Sequence, residues 1–378
     1  MTRAGASLCA FFICVWASSV WAAQELPKAP AGFTISKIAE VPGARELAIA
    51  PNGDLFAGTA GPEIYIVPHA DTVPQPAQVF AKVNDAPAAG VAINASTIYV
   101  GGQFGIWRLQ YSPGDRIARS APRKIASVRT SGVARDHVTT TVALTAGRLY
   151  ASVGSSCDSC HPDLDATRAT IQVMNPDRSQ TSARAINIRN AIALSVNPAT
   201  GTLWAGVAGQ DELAHGHPYE IFDAVGLHKG TADYGWPYCY ENRRPTEPGH
   251  DCSGVVVPRV VFPAYETPVG AVFYPPNLKG RNVFPRSYWG GAFVTLHGSW
   301  HAPLVPPRVV FVPMNGDAPK RSVVWTNPNT QWIDFLSSFQ HADGNRIARP
   351  TGIAVGPQGD LFVADDQGGA IYRIRPVR

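Results

Sequence analysis

The residues best suited to chemistry stand beside short apolar phrases that recur along the chain. His137, in RDHVTTTVAL, follows Asp136 directly. Histidine takes protons near neutral pH without a large shift, so this pair reads as a general base with a carboxylate that orients it or raises its basicity. The alternative for such a histidine is a plain loop hydrogen bond. Arg189 precedes Asn190 in RNAIALSVNP, and Arg349 opens RPTGIAV. Their fixed donor forks suit carboxylates or a developing oxyanion, and equally suit structural ion pairs. In GQDEL, Gly209, Gln210, Asp211 and Glu212 offer two carboxylates and two backbone carbonyls to a hard cation such as calcium, or else form an acidic loop turned to solvent. His297 in TLHGSW and the pair Asp365 and Asp366 complete the set.

The elements that must position these residues form a repeat. A short apolar strand, a turn with Pro, Asn or Gly, and a second apolar strand recur six times, as ELAIAPNGDLFAGTA, AGVAINASTIYVGG, TTVALTAGRLYASVG, AIALSVNPATGTLWAGVAG, VGAVFYPP with WGGAFVTLHGSW, and TGIAVGPQGDLFVADD. PNGD and PQGD are hairpin turn signals. Each copy predicts the inner two strands of a four-stranded blade, with outer strands supplied by segments such as GIWRLQYS and TIQVMNPD. Radial repetition leaves few open sheet edges, so the expected architecture is an all-β, six-bladed β-propeller. AIYRIRPV at the C-terminal side needs a partner, and FTISKIAEV near the N-terminus can close the ring. The chemically suggestive residues then lie on one rim of a central channel.

Residues 1–23 have one Arg near the start, an apolar run and small residues at Ala22 and Ala23, the layout of a cleaved signal peptide. Residues 24–378 form the single propeller domain, in the periplasm or outside the cell. Four cysteines remain after cleavage, and local pairing joins Cys157 to Cys160 and Cys239 to Cys252, although three pairings are possible. Gly 35, Pro 33 and only 16% charged residues favour strands and turns over long surface helices. A net charge of +4 with scattered basic residues excludes nucleic acid as a default partner, and no second apolar run is long enough to hold the chain in a membrane.

With these features in place, RNAIALSVNP, GQDEL, DYGWPYCY, GGAFVTLHGSW and RPTGIAVGPQGDLFVADDQGGAIYRI resemble the sorbosone and soluble glucose dehydrogenase family of six-bladed propellers, over nearly the whole mature chain. The resemblance implies pyrroloquinoline quinone (PQQ) and calcium as cofactors. It casts His137 as the base for the substrate hydroxyl, Asp136 as its orienting carboxylate, and Arg189 as the group beside the reactive quinone carbonyl. Asn190 and Arg349 would hold the cofactor, and the backbone of Gly209 and Gln210 would meet the calcium. The implied reaction oxidises a sugar, a sugar aldehyde such as sorbosone, or a polyol by hydride transfer. Its partners would be that small molecule and an external electron acceptor such as a cytochrome c or a soluble quinone. Two positions depart from the glucose-oxidising members: VNDAPAAGVAI offers no Gln where the second blade begins, and no Lys is evident in the fifth.

CDSCH at Cys157 to His161 also matches a covalent haem attachment pattern, but no separate cytochrome domain accompanies it, and a local disulfide is the simpler expectation. Other functions compatible with the same propeller mouth are noncatalytic binding of sugar or protein and calcium-dependent lactone hydrolysis.

Overall fold

The computed structural model describes residues 25–129, 137–160, 163, 165–177, 180–211, 213–299 and 305–377. The expected leader at 1–23 lies outside them, as do Asp136, His161, Glu212 and Trp300. Six antiparallel sheets follow one another along the chain. The first blade is built from Ala44–Ile49, Leu55–Thr59, Glu63–Val67 and Gln78–Lys82. The second runs from Gly90–Asn94 to Arg123–Ser127, and the third from Val142–Thr145 to Thr181–Ile186 with a short parallel strand, Ala232–Asp233, on its edge. The fourth comprises Asn190–Val196, Leu203–Ala208, Glu220–Asp223 and Val260–Phe262; the fifth runs from Pro268–Phe273 to Ile333–Leu336. Each recurrent phrase supplies the two inner strands of its blade, as its turn chemistry predicts.

The sixth blade takes Pro350–Val355, Leu361–Asp365 and Ala370–Pro376 from the C-terminal side and its outermost strand, Phe33–Glu40, from the N-terminal side. The pairing runs from Phe33 opposite Pro376 to Glu40 opposite Ala370. Among the described residues, helix is confined to two single 3-10 turns, Val225–Leu227 and Arg286–Tyr288, and no helix is long and apolar enough to cross a membrane.

Side-chain alternation explains why these strands are apolar on both faces. In Leu55–Thr59, Leu55 and Ala57 pack toward the sixth blade, while Phe56 packs toward the second. Leu361 and Val363 likewise face the fifth blade, and Phe362 and Ala364 the first. The core is therefore divided among six interfaces between neighbouring blades. Polar latches hold the blades together beyond the apolar contacts. Asp317 accepts from Asn197, Thr202 and Trp204 of the fourth blade at 2.9, 2.7 and 3.0 Å, and the Tyr111 hydroxyl donates to Asp54 at 2.7 Å.

Near the channel the backbones themselves come together. A Cβ on Gly352 would lie 2.3 Å from the Arg45 carbonyl oxygen of the first blade, and one on Gly270 equally close to the Thr351 carbonyl of the sixth. Thr351 Oγ1 donates to the Ala44 carbonyl at 3.0 Å, while Thr295 Oγ1 donates to the Thr351 carbonyl at 2.6 Å. Gly352→Ala must spread the seam between the last and first blades, and is expected to lower unfolding free energy by about 1–3 kcal/mol. Gly254→Ala, which meets nothing within 4 Å, should stay within about 0.5 kcal/mol. Denaturant midpoints of the two variants measure the difference.

Candidate functional site

The strands that line the channel begin on one rim, and the polar residues at their starts converge there. His137, Arg189, Asn190, Gly209, Asp211 and Arg349 border a cavity of about 260 Å³. Glu220, His297 and Ser299 border it as well. Several blades thus deliver histidine and guanidinium groups to one space, although the residues lie far apart in sequence.

His137 is fixed from both its ring and its backbone. Nδ1 lies 3.0 Å from the Ser155 carbonyl oxygen and 3.0 Å from Ser155 Oγ. Because Ser155 Oγ donates its hydrogen to the Cys157 carbonyl at 2.7 Å, the shared proton belongs to Nδ1, and Nε2 keeps its lone pair. Buried Arg168 grips the same Ser155 carbonyl at 2.8 Å, and buried Arg129 bonds the carbonyls of His137 and Thr139 at 3.1 and 3.3 Å. Arg129 also donates to the carbonyl of Gln103, in a second-blade loop. Burial above all, then the positive charge of Arg189, lowers the His137 pKa to about 3. Gly154 lies against both His137 and Asn190, and a Cβ there would lie 2.4 Å from His137 Cβ and 2.6 Å from Asn190 Oδ1. Only glycine fits that gap.

Arg189 is buried and held mainly by Asp158, inside the Cys157–Cys160 disulfide loop. Its Nε donates to the Asp158 carbonyl at 3.1 Å and its Nη2 to Asp158 Oδ1 at 2.5 Å. Nη1 reaches the Ala208 carbonyl at 3.4 Å, and Asp211 Oδ2 stands 3.9 Å from Nη2. Across the cavity, Arg349 Nη2 donates to His297 Nδ1 at 2.8 Å, which makes His297 Nε2 the protonated nitrogen; it donates to Asp366 Oδ1 at 3.1 Å. Burial lowers the pKa of His297, leaving it a neutral link between arginine and carboxylate. Asp366 is also 3.3 Å from Arg45 Nη1. Asp365 serves the backbone, its Oδ1 accepting from the N–H groups of Arg349, Gln367 and Gly368.

Gly209 lies on the cavity, but its N–H donates to Glu220 Oε2 at 2.8 Å, leaving its carbonyl as the possible cation ligand. Gln210 is buried beside it. Asp211 lies opposite Arg189 and gives its N–H to Asp158 Oδ1 at 2.8 Å. Glu220 is a buried carboxyl whose pKa is raised to about 7, chiefly by burial. Among the described residues, no three His, Cys, Asp or Glu side chains gather as a metal cage. A calcium ion here would rely on carbonyl oxygens and on atoms supplied by a ligand.

Ser155, Asp158 and Glu220 do not stand out in the sequence. Asp158 lies inside CDSCH and could have been suspected because a disulfide turn fixes its direction. Glu220 sits on the third strand of its blade, where sequence alone does not distinguish a channel carboxyl from a surface one.

With this geometry in view, comparison with known proteins gives the same architecture. Residues 241–377 match the family described as TrAA12-like. The holo form of the pyranose dehydrogenase PQQ domain from Coprinopsis cinerea superimposes with TM-score 0.77 at 19% identity, covering 93% of this chain and 97% of that one. A calcium structure of the Trichoderma reesei carbohydrate-active enzyme of family AA12 superimposes with TM-score 0.74 at 20% identity, covering 93% and 97%. An uncharacterized protein of Borreliella burgdorferi is 24% identical over 210 residues, 54% of this chain, and the match spans about half the length of that curated relative, 52%. The fold is that of the PQQ-dependent dehydrogenase propellers.

His137 should therefore give a single neutral imidazole signal, protonated on Nδ1, at every pH between about 5 and 8. Nitrogen-15 NMR of the ring, assigned by its loss in His137→Gln, checks this. An unfolded histidine titrates near 6.5 and the folded one near 3. Its contribution to stability is thus complete above about pH 6.5 and is lost as pH falls toward the folded value.

Proposed function

We propose that this protein is a PQQ-dependent oxidoreductase, acting on a sugar, a sugar aldehyde such as sorbosone, or a polyol. The observation that carries the reading is the convergence of neutral His137 with Arg189, Asn190 and Arg349 on one cavity. The donor set fits an anionic planar ligand, since two guanidinium groups and an amide border the same space. Pyrroloquinoline quinone supplies, when bound, an acceptor for the two electrons of a hydride. Arg189 would stand beside its reactive quinone carbonyl, Arg349 would pair with its carboxylates, Asn190 would help to hold it, and the Gly209 and Gln210 carbonyls would contribute to a calcium site. Asp211 and Glu212 are proposed to add carboxylate oxygens to that site.

His137 Nε2 accepts the hydroxyl proton of the substrate, while the Nδ1 hydrogen bond keeps the lone pair aimed and the ring in one tautomer. A base whose pKa is about 3 is weak for such a transfer. Part of that weakness comes from the Arg189 charge, so a negative ligand on Arg189 strengthens the base. Base strength thereby becomes coupled to occupancy of the site. Asp136, directly before the base in sequence, is proposed to assist its orientation. Residues 1–23 would direct the protein to the periplasm or the exterior, where an external acceptor such as a cytochrome c or a soluble quinone would remove the electrons.

Titrating the calcium-loaded protein with pyrroloquinoline quinone, then adding aldoses, sorbosone and polyols while following quinone absorbance, tests this function. The expected result is saturable binding followed by substrate-dependent reduction. His137→Ala should bind the quinone within about threefold of the parent yet lose hydride transfer by at least about 10²-fold. Undiminished turnover would remove His137 as the base; absence of quinone binding would favour a noncatalytic propeller or a hydrolase.

A further inference from the structure

The disulfide loop Ser155–Cys160 touches both functional centres without bordering the cavity. On one side, the Ser155 carbonyl and hydroxyl fix His137 Nδ1, and Ser155 Oγ itself donates to the Cys157 carbonyl. On the other, Asp158 grips Arg189 twice, through its carbonyl and its carboxylate. The loop is tied down around these contacts. Ser155 N–H donates to the Arg189 carbonyl at 2.7 Å, Trp236 Nε1 to the Asp158 carbonyl at 2.9 Å, and Ser156 N–H to Asp163 Oδ2 at 2.7 Å. The Cys157–Cys160 bond closes the turn that carries Asp158.

We infer that Asp158 is a positioning residue for Arg189, and that the Cys157–Cys160 loop is a clamp setting Arg189 and His137 in register with one another. The inference rests on the quinone reading of the cavity for its functional consequence. Its structural part stands alone. Two acceptors from one residue consume the Nε donor and one Nη2 donor of Arg189, so its remaining N–H groups have a fixed direction. Without the Asp158 carboxylate, the guanidinium keeps its charge and its Nε bond to the residue-158 carbonyl, and loses the second bond that fixes its rotation and the direction of its Nη donors. An amide at the same position keeps an oxygen acceptor for Nη2 and for the Asp211 N–H, so Asp158→Asn should preserve the grip that Asp158→Ala removes.

The test uses the full chain. Quinone affinity is measured with calcium present, by quenching of protein fluorescence, for the parent, Asp158→Asn, Asp158→Ala and the double variant Cys157→Ser, Cys160→Ser. Asp158→Ala and the double variant should bind about tenfold more weakly, with Asp158→Asn within about threefold of the parent. In the same proteins without quinone, the Arg189 Nη–H resonances, assigned by their loss in Arg189→Lys, should be sharp and slow to exchange in the parent and Asp158→Asn, and broadened in Asp158→Ala, which lacks the oxygen that accepts from Nη2. Quinone binding by Asp158→Ala as tight as the parent's or tighter would overturn the inference, because Asp158 would then merely neutralise Arg189. If the parent binds no quinone, the functional reading fails and those resonances decide the clamp; unchanged signals in Asp158→Ala would overturn it.

Discussion

Backbone crowding around the channel is the constraint on which the rest of this propeller depends. Six sheets arranged about one axis are widest apart at the rim of the disc and closest at its centre. There the innermost strands meet over Gly270 and Gly352, and threonine hydroxyls rather than large side chains join them. Large apolar side chains fill the interfaces between blades, with Trp204, Phe222 and Phe273 between the fourth and fifth and a larger aromatic group between the fifth and sixth. The same closeness brings side chains from the third, fourth, fifth and sixth blades to a single cavity.

The site concentrates positive charge on buried side chains. Arg129, Arg168 and Arg189 are all buried, and most of their hydrogen bonds go to carbonyl oxygens. Burial, followed by the nearby charge of Arg168, lowers even the Arg129 guanidinium to about 9. Burial is the main reason that both His137 and His297 stay neutral; for His137 the charge of Arg189 adds to it, whereas for His297 Asp366 opposes it. Such a neighbourhood favours an anion. On the first blade, Glu46 is raised to about 8, mainly by burial, so it too stays uncharged at neutral pH.

Much of the fold was legible because a propeller writes its geometry into repeated phrases. PNGD and PQGD marked hairpins, and the continuous apolar strands reflected burial on two faces. AIYRIRPV and FTISKIAEV were recognisable as partners because each lacked another. Both local cysteine pairs are joined as their spacing suggested. Rim residues could be picked out because the repeat gave them equivalent positions, but their second partners could not. Asp158 reaches Arg189 across 31 residues, and Ser155 meets His137 across a turn that no periodicity specifies. The second blade shows the same limit: it reaches the His137 backbone through Arg129, which takes the main-chain carbonyl of residue 103 in the loop after that blade's second strand.

The pairing of Phe33–Glu40 with Ala370–Pro376 bears on how the molecule is made. Of the described strands, the first in sequence order has the last as its partner. Until they pair, the early blades can pack against their neighbours in sequence, but the sixth blade lacks its outer strand and the disc stays an open arc. An open arc exposes two apolar blade faces, those that later meet between the last and first blades. Docking of Phe33–Glu40 is therefore also the moment at which the folding chain stops presenting a sticky surface to chaperones and to other copies of itself.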